Sequence, residues 1–494
     1  MPTFFIEQFG CRATQADGAA IERQLLDRGC TSAATPTTAD IVVLNTCTVT
    51  ASADAQARDA IRRLHAANPA VRLIVTGCYA QRAPEELAAL PGVSWVVGNS
   101  HKPQIPLLID SLSSVTPPNS ANDFFPVAAL HSDSTVPFHS FVGAELAPPN
   151  SPHLAKILTG NIFDRAEFLS APVLGGEGNH TRPTLKIQDG CDSRCSYCVI
   201  PFVRGKSRSL PSDKVIEEIR RLTVGQALLP VRSESLRAPL QAREIVLSGI
   251  NLGTYGRDLS PRVEFEDLLR RILGETSVER LRISSIEPLD VTQDLVDLFA
   301  STDRIAQHFH MPLQSASNRI LAAMHRWYRA EHYARRIELV HERLPHAAIG
   351  ADVITGFPGE TEDDHAVTLA FIESLPFTYL HVFSFSQRPG TKAAALSNEV
   401  PGAIIKRRAR ELRALGEKKS AAFRQSQISR TLRVLTLHPS NELPDRQTSS
   451  LSSNYLRVFV GGVFPANQWL DVRLNSCQGT CLVGRVSESV FLPM

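Results

Sequence analysis

Short apolar runs that alternate with helical patterns limit the folds open to this chain more than any other feature. Six candidate strands lie at 185–188, 244–248, 281–284, 308–311, 350–354 and 379–384, with helical patterns between most of them, for example at 211–223, 263–273, 331–344 and 361–374. Strand followed by helix, repeated, builds a parallel sheet, because parallel neighbours need a long crossover. Six repeats over 182–400 predict an α/β domain with an incomplete (β/α)6 barrel. In barrels of this kind the active site lies at the carboxyl ends of the strands. The sequences that break the pattern fall there: DGCDSRCSYC, SGIN, SSIEP, PLQSAS, TGFPGET and FSQRPGT.

The same alternation appears at the N-terminus. Apolar runs at 3–6, 41–45 and 73–76 are separated by helical patterns near 15–28 and 54–67. Residues 1–110 therefore read as a small Rossmann-like α/β domain. Residues 111–181 are rich in Ser, Pro, Asn and Ala and read as an irregular insertion or linker, with a shorter insertion at 224–242. Residues 401–430 read as a basic helix with apolar positions Ile405, Ala409, Leu412 and Leu415. The tail, 431–494, offers short β-like runs at 432–437, 455–460 and 482–486, which suit a small all-β barrel. Segment 401–435 holds ten Lys or Arg and two Glu. Like charges on one helix repel, and a polyanion relieves that cost, so this segment points to RNA contact.

Nine cysteines in 494 residues do not make a disulfide scaffold. No run approaches the ~20 apolar residues of a membrane span. The start, MPTFFIEQFG, lacks a basic segment followed by an apolar one, so a cytoplasmic protein without a membrane partner is expected. In a reducing compartment, clustered cysteines read as metal-binding or catalytic. Cys191, Cys195 and Cys198 lie in one short run. Three thiolates can hold a four-iron, four-sulfur cube and leave one iron open, whereas ferredoxin-type carriers use four cysteines per cube. A structural zinc site needs a fourth ligand. The nearest histidines are His180 and the distant His308, so zinc requires a donor brought in by the fold. Ligand count favours iron–sulfur. Cys11, Cys47 and Cys78 each follow one of the N-terminal strands. Ligands in such sheets bind beyond the strand ends, so these three also suggest a site. Cys30, Cys477 and Cys481 read as incidental core residues.

The run KIQDGCDSRCSYCVIPFVRGKSRS resembles the cluster loop of radical S-adenosylmethionine (SAM) enzymes, and of methylthiotransferases in particular. EQFGCRATQADG, VLNTCTVTASADAQAR and VTGCYAQ resemble the N-terminal motifs of that family. RISSIEP, HMPLQSAS, DVITGFPGETEDD and HVFSFSQRPGTKAA resemble its barrel motifs, and the tail sits where the family has its RNA-binding TRAM barrel. The resemblance implies one [4Fe-4S] cluster on Cys191, Cys195 and Cys198, where SAM binds the open iron and one electron releases a 5′-deoxyadenosyl radical. It implies a second on Cys11, Cys47 and Cys78 that delivers sulfur, and a second SAM that supplies the methyl group. Radical chemistry suits an unactivated C–H carbon that acid–base catalysis cannot functionalise. One departure is Thr14, where the family often has Asn.

Gly249 and Asn251 read by themselves as a turn, and GFPGETEDD as a turn followed by a capped helix. With the resemblance, Gly249, Asn251, Gln314, Asp352 and Glu360 become expected SAM contacts. Arg204, Lys206 and Arg208 read equally as a solvated surface or as phosphate contacts. FGCRATQADG, NTCTVTASADAQAR and IQDGCDSRCSYCVIPFVRG resemble the members that act on N6-threonylcarbamoyladenosine. The expected activity is therefore 2-methylthio transfer to that nucleoside at position 37 of tRNA, by a monomer served by a flavodoxin or ferredoxin. Two alternatives stay open: an aspartate of a ribosomal protein as substrate, or a non-catalytic, zinc-bound RNA-binding module.

Overall fold

The computed structural model describes residues 2–113, 155–164, 168–173, 181–224, 241–438 and 447–487. Its N-terminal part is a six-stranded, all-parallel sheet. The spatial order is Thr31–Ser32, Thr3–Gln8, Ile41–Thr46, Arg72–Gly77, Val93–Gly98 and Lys156–Leu158. Ile41–Thr46 is buried at every position, which is why it reads as a continuous apolar run and not as an alternating one. The chain runs outward in opposite directions from the pair Thr3–Gln8 and Ile41–Thr46. That pair is the topological switch point, where open α/β sheets form a ligand crevice at their carboxyl edge.

One strand falls where irregular structure is expected. Lys156–Leu158 pairs with Trp95–Val97 at the sheet edge, and the Lys156 ammonium lies over the Trp95 ring. Leu169 and Ala171 are buried with Ile105 and Ile109 in the same layer. Three residues are too few to show a period, so only pairing reveals them. Most of the rest of 111–181, and 225–240 of the shorter insertion, lie outside the described residues.

The central part has two parallel three-stranded sheets. Thr184–Lys186, Glu244–Ser248 and Arg280–Ile283 form one; His308–His310, Ala348–Thr355 and Tyr379–Ser384 form the other. Parallel bridges at Leu281–Ile305 and Ser285–His310 join them into one open, six-stranded wall. Side chains alternate strictly across it. Leu185, Ile245, Leu247, Leu281, Ile283, Phe309, Ile349, Ala351 and Val353 pack in the large core with the helices. The opposite face carries Lys186, Glu244, Arg280, Arg282, His308, His310, Asp352, Tyr379 and His381. Period-two alternation thus separates an apolar outside from a polar inside.

The tail is a closed antiparallel and parallel barrel of five strands, Thr431–Thr436, Gln447–Ser452, Arg457–Gly461, Cys481–Val486 and Trp469–Gln478. Val434, Val458, Val460, Val472, Leu474 and Leu482 fill it. It docks on the amino end of the central wall. Arg280 and Arg282 donate to the carbonyls of Leu451, Ser452 and Ser453, and Arg280 stacks on Trp469. Buried Glu244 pairs with Arg182, Arg280 and Arg282.

The basic helix, Gly402–Ser426, departs from expectation in its charges. Arg407 and Arg408 pair with Glu362, and Arg408 also with Glu360. Lys418 pairs with Glu373, Lys419 donates to the carbonyls of Glu373 and Leu375, and Arg433 pairs with Glu279. Gly416 lets the helix lie close on Leu380. Arg413 donates to the Val382 carbonyl, so six of the ten cations of 401–435 are committed to the protein's own acids and carbonyls. The helix is chiefly a strut between the two barrels, and its charge excess is less free for RNA than the sequence implies.

Candidate functional site

The N-terminal cysteines stand at the carboxyl ends of three adjacent strands. Cys11 caps the Arg12–Asp27 helix after Thr3–Gln8, Cys47 follows Ile41–Thr46, and Cys78 follows Arg72–Gly77. The first two flank the switch point. Gly10 makes their approach possible: it has a φ of 104°, and a Cβ there would lie 2.4 Å from the Cys47 Cβ. Burial, then the proximity of Cys78 and Cys11, pushes the Cys47 thiol up to about 12. Thr14 lies 3.6 Å from the Cys11 sulfur, and Asn99 donates to Cys78 at 3.5 Å.

Cys191, Cys195 and Cys198 occupy one loop, fastened where Gln188–Asp189 pairs with Arg208–Ser209 and where the Cys191 N–H donates to Gly205. Burial, then Cys195, pushes the Cys198 thiol up to about 12. Cys191 is also raised by burial, against hydrogen bonds from Ser193 and Asn251 that favour its thiolate. Arg326 donates to the Cys195 sulfur at 3.4 Å and pairs with Glu287.

The two sets of cysteines are joined by packed structure. Val199, Ile200 and Val203, which directly follow Cys198, pack on Cys78. Asn99 donates to the Val203 carbonyl at 2.7 Å. Arg204 pairs with Asp189 of the loop at 2.8 Å and with Asp17 of the first helix at 3.2 Å. Asp17 also holds Lys102 and Lys186. Burial works against the Asp17 charge, but Lys102, Lys186 and Arg204 together hold its carboxyl well below the usual range. Arg208 is likewise mostly buried and donates to the carbonyls of Arg204 and Lys206. Arg204 and Arg208 are therefore buried rather than a solvated surface: Arg204 locks one domain to the other through Asp17, and Arg208 braces the loop from within.

The expected SAM contacts separate into two groups. Asn251 reaches Cys191, its N–H donates to Gln188 at 2.7 Å, and its buried Oδ1 has no partner. Gly249 directly follows the strand Glu244–Ser248 and lies against Gln188 and Leu252. Gln314 has a φ of 62° and hydrogen-bonds the Asp352 carbonyl through its N–H; a left-handed, non-glycine residue beside a site marks stored strain. Asp352 lies 3.2 Å from both His310 and His381, and these histidines, outweighing burial, hold its carboxyl down at about 2. Glu360 differs. Its carboxylate accepts from the Gly356 N–H and from Arg408, both at 2.7 Å, so it clasps the basic helix.

The wall beside these residues was not singled out from the sequence. His308 bonds the Tyr379 hydroxyl at 2.7 Å and stacks on Tyr455 of the C-terminal barrel, centroids 4.4 Å apart. Gly350 admits the Tyr379 ring, which a Cβ would meet at 2.0 Å. The one sequence signal was His at alternate positions, 308 and 310, in an otherwise apolar strand. Cys30 is buried as expected, whereas Cys477 is exposed on a strand of the C-terminal barrel.

Both cysteine sets suit iron–sulfur clusters by their chemistry. In each set burial and neighbouring cysteines raise the pKa of a thiol, Cys47 in one and Cys198 in the other, and such a thiol gains from a cation that removes its proton. Thiolates on a single tetrahedral zinc would stand ~3.8 Å apart. Among the described residues only His310, Asp352 and His381 gather ligand atoms within 4.8 Å, so neither cysteine set is drawn in as zinc requires. Sulfurs that each hold a different corner of a cube stand further apart.

Residues 3–98 match the model of uncharacterized protein family UPF0004, and 185–372 match the radical SAM superfamily. The chain is 32% identical over 453 residues to the threonylcarbamoyladenosine tRNA methylthiotransferase MtaB of Aquifex aeolicus, covering 92% of this chain and 97% of that protein. The chain belongs to the radical SAM methylthiotransferases. MtaB of Bacillus subtilis is 31% identical, over 94% of this methylthiotransferase and 91% of that protein. The tRNA-2-methylthio-N(6)-dimethylallyladenosine synthase of Moorella thermoacetica is 29% identical over 98% of both. The fold is also similar to the radical SAM methyltransferase TsrM of Kitasatospora setae, with a TM-score of 0.52 at 15% identity, over 80% of this chain and 77% of that one. Enzymes of the family use SAM and [4Fe-4S] clusters, which sets the zinc-bound binding module aside.

Proposed function

We propose that this methylthiotransferase modifies C2 of N6-threonylcarbamoyladenosine at position 37 of tRNA. The observation that carries the reading is the packing of Cys78 directly on Val199 and Val203, beside Cys198, which brings the two three-thiol sets next to each other. The names of the Aquifex and Bacillus relatives support the nucleoside. In this reading Cys191, Cys195 and Cys198 hold the cluster that supplies one-electron cleavage of SAM. Cys11, Cys47 and Cys78 hold the one that delivers sulfur. Gly249, Asn251, Gln314 and Asp352 bind SAM, and the unpartnered Asn251 Oδ1 offers an acceptor for its ammonium. Arg326 and Arg204 place fixed positive charge beside the two sets, and the packed apolar layer between them keeps water out. Residues 1–110 would serve sulfur delivery, 182–400 SAM cleavage and 431–494 RNA binding. A flavodoxin or ferredoxin would supply electrons to a monomer.

The Moorella relative supports a second reading, in which the target is dimethylallyladenosine. Deleting the gene and digesting total tRNA for mass spectrometry separates the two. Loss of the 2-methylthio form of threonylcarbamoyladenosine, with the unthiolated nucleoside accumulating, is expected. Loss of the dimethylallyl product instead, or of methylthioaspartate from a ribosomal protein, refutes the substrate assignment.

A further inference from the structure

Tyr379, His381 and Phe383 occupy alternate positions of Tyr379–Ser384, the edge strand of the central wall. Their neighbours Leu380 and Val382 pack on the large apolar core, so period-two alternation turns all three rings to the inner face. The rings form a row, with centroids 5.2 Å apart from Tyr379 to His381 and 6.5 Å apart from His381 to Phe383. Partners thin out along it. The Tyr379 hydroxyl bonds His308, and its ring stacks on both His308 and His310. The His381 Nδ1 donates to Asp352 at 3.2 Å. Phe383 meets His381 edge-on, packs in none of the apolar cores of the described residues and is 48% exposed.

A lone exposed phenylalanine is ordinary. This one ends a row whose other rings are held by hydrogen bonds, and it stands at the carboxyl end of a barrel strand, where the active sites of such barrels lie. The chain just beyond it meets the N-terminal domain beside Cys47. Ser386 accepts from the Ala51 N–H at 3.2 Å, and Arg388 donates to the Thr48 carbonyl at 3.1 Å. Phe383 therefore lies on the inner wall, three residues before the seam with the loop that carries Cys47.

An open aromatic ring at such a place takes a flat heteroaromatic partner, and RNA bases drawn out of their own stack rest on Phe, Tyr and His rings. Stacking occupies the faces of a purine and leaves its edge free, and C2 lies on that edge. We infer that Phe383, with His381 beside it, is the platform on which the target adenine of the tRNA stacks while C2 reacts. This rests on the tRNA reading above and holds for either N6 side chain. SAM also carries an adenine. Position assigns Phe383 to the RNA, because Gly249 and Asn251, beside the SAM-cleaving set, follow a strand of the other three-stranded sheet.

The test uses the anaerobically purified, cluster-loaded protein and three anticodon stem-loop RNAs. These carry threonylcarbamoyladenosine, dimethylallyladenosine or an abasic site at position 37, and binding is read by fluorescence anisotropy. The wild-type protein should bind the threonylcarbamoyl RNA at least about fivefold more tightly than the abasic one, as one stacked base allows. Phe383→Ala should bring that ratio to about one by weakening the base-bearing RNA alone, and Phe383→Tyr should keep most of it. Binding of abasic and both base-bearing RNAs with equal affinity by the wild type overturns the platform without recourse to any variant; if that protein still converts the threonylcarbamoyl RNA to its 2-methylthio form, the substrate reading stands. A Phe383→Ala protein that keeps the ratio, or that weakens all three RNAs alike, also overturns the platform. So does weaker SAM binding by Phe383→Ala in equilibrium dialysis with the RNA ratio kept, which gives the ring to the cofactor. If the dimethylallyl RNA binds more tightly than both others and Phe383→Ala removes that advantage over the abasic RNA, the platform stands and the threonylcarbamoyl reading falls.

Discussion

Two sets of three cysteines stand side by side in this molecule, and they are encoded in opposite ways. Cys191, Cys195 and Cys198 lie in one loop, fastened by a short ladder at its base. Cys11, Cys47 and Cys78 come from three strand ends that sheet order makes neighbours. The first set needs only its own loop to be closed. The second exists only once a parallel sheet has formed in the right order. The loop site is therefore vulnerable to changes in itself, and the sheet site also to distant changes that disturb packing.

The largest effect tests the independence of the two. Cys191→Ala should abolish SAM cleavage and all product, whereas Cys47→Ala should keep SAM cleavage and lose sulfur insertion. On the proposed assignment of one four-iron cube to each set, each substitution should lower iron from about eight to about four per chain. Sulfur insertion by Cys47→Ala would end the two-site account. Gly10→Ala comes next. The added Cβ overlaps Cys47, and the positive φ adds strain of ~1–3 kcal/mol. Iron analysis should show the N-terminal cluster depleted and SAM cleavage intact; equal loss from both sites would mean that the sets are not separately encoded.

Asp17→Asn addresses what couples them. It leaves Lys102, Lys186 and Arg204 buried with less counter-charge, and breaking such a network costs ~3–5 kcal/mol. Urea unfolding of the iron-free protein should show that loss, and an unchanged midpoint would deny the network its role in docking. The smallest effect is expected at Cys477. It is exposed and belongs to neither set, so Cys477→Ser should change stability by no more than ~0.5 kcal/mol and leave iron content alone.

The loop set was legible because its spacing is local, and the six barrel strands because short β-like segments recur with helical patterns between most of them. Cys11, Cys47 and Cys78 were legible as candidates because each follows a strand; that those strands are adjacent was not, since sheet order leaves no mark on spacing. Lys156–Leu158 was hidden by its length. Arg204 and Arg208 looked like surface charges because nothing nearby in sequence shows that Asp17 and Asp189 will enclose Arg204. The basic helix misled in the same manner: its counter-charges, Glu360, Glu362 and Glu373, lie on another element. Glu360 sat in a motif that suggested SAM, yet its carboxylate meets Arg408.

The sequence by itself determined most element types, the six candidate ligand cysteines and the reaction family, because periodicity and ligand spacing are properties of a linear chain. Only the tertiary structure decided which charges are buried and paired, and that Cys78 packs beside the Cys198 loop. Those facts depend on Coulomb interactions and desolvation between groups far apart in the chain. Such interactions act over a few ångströms in space and carry no signature in residue order.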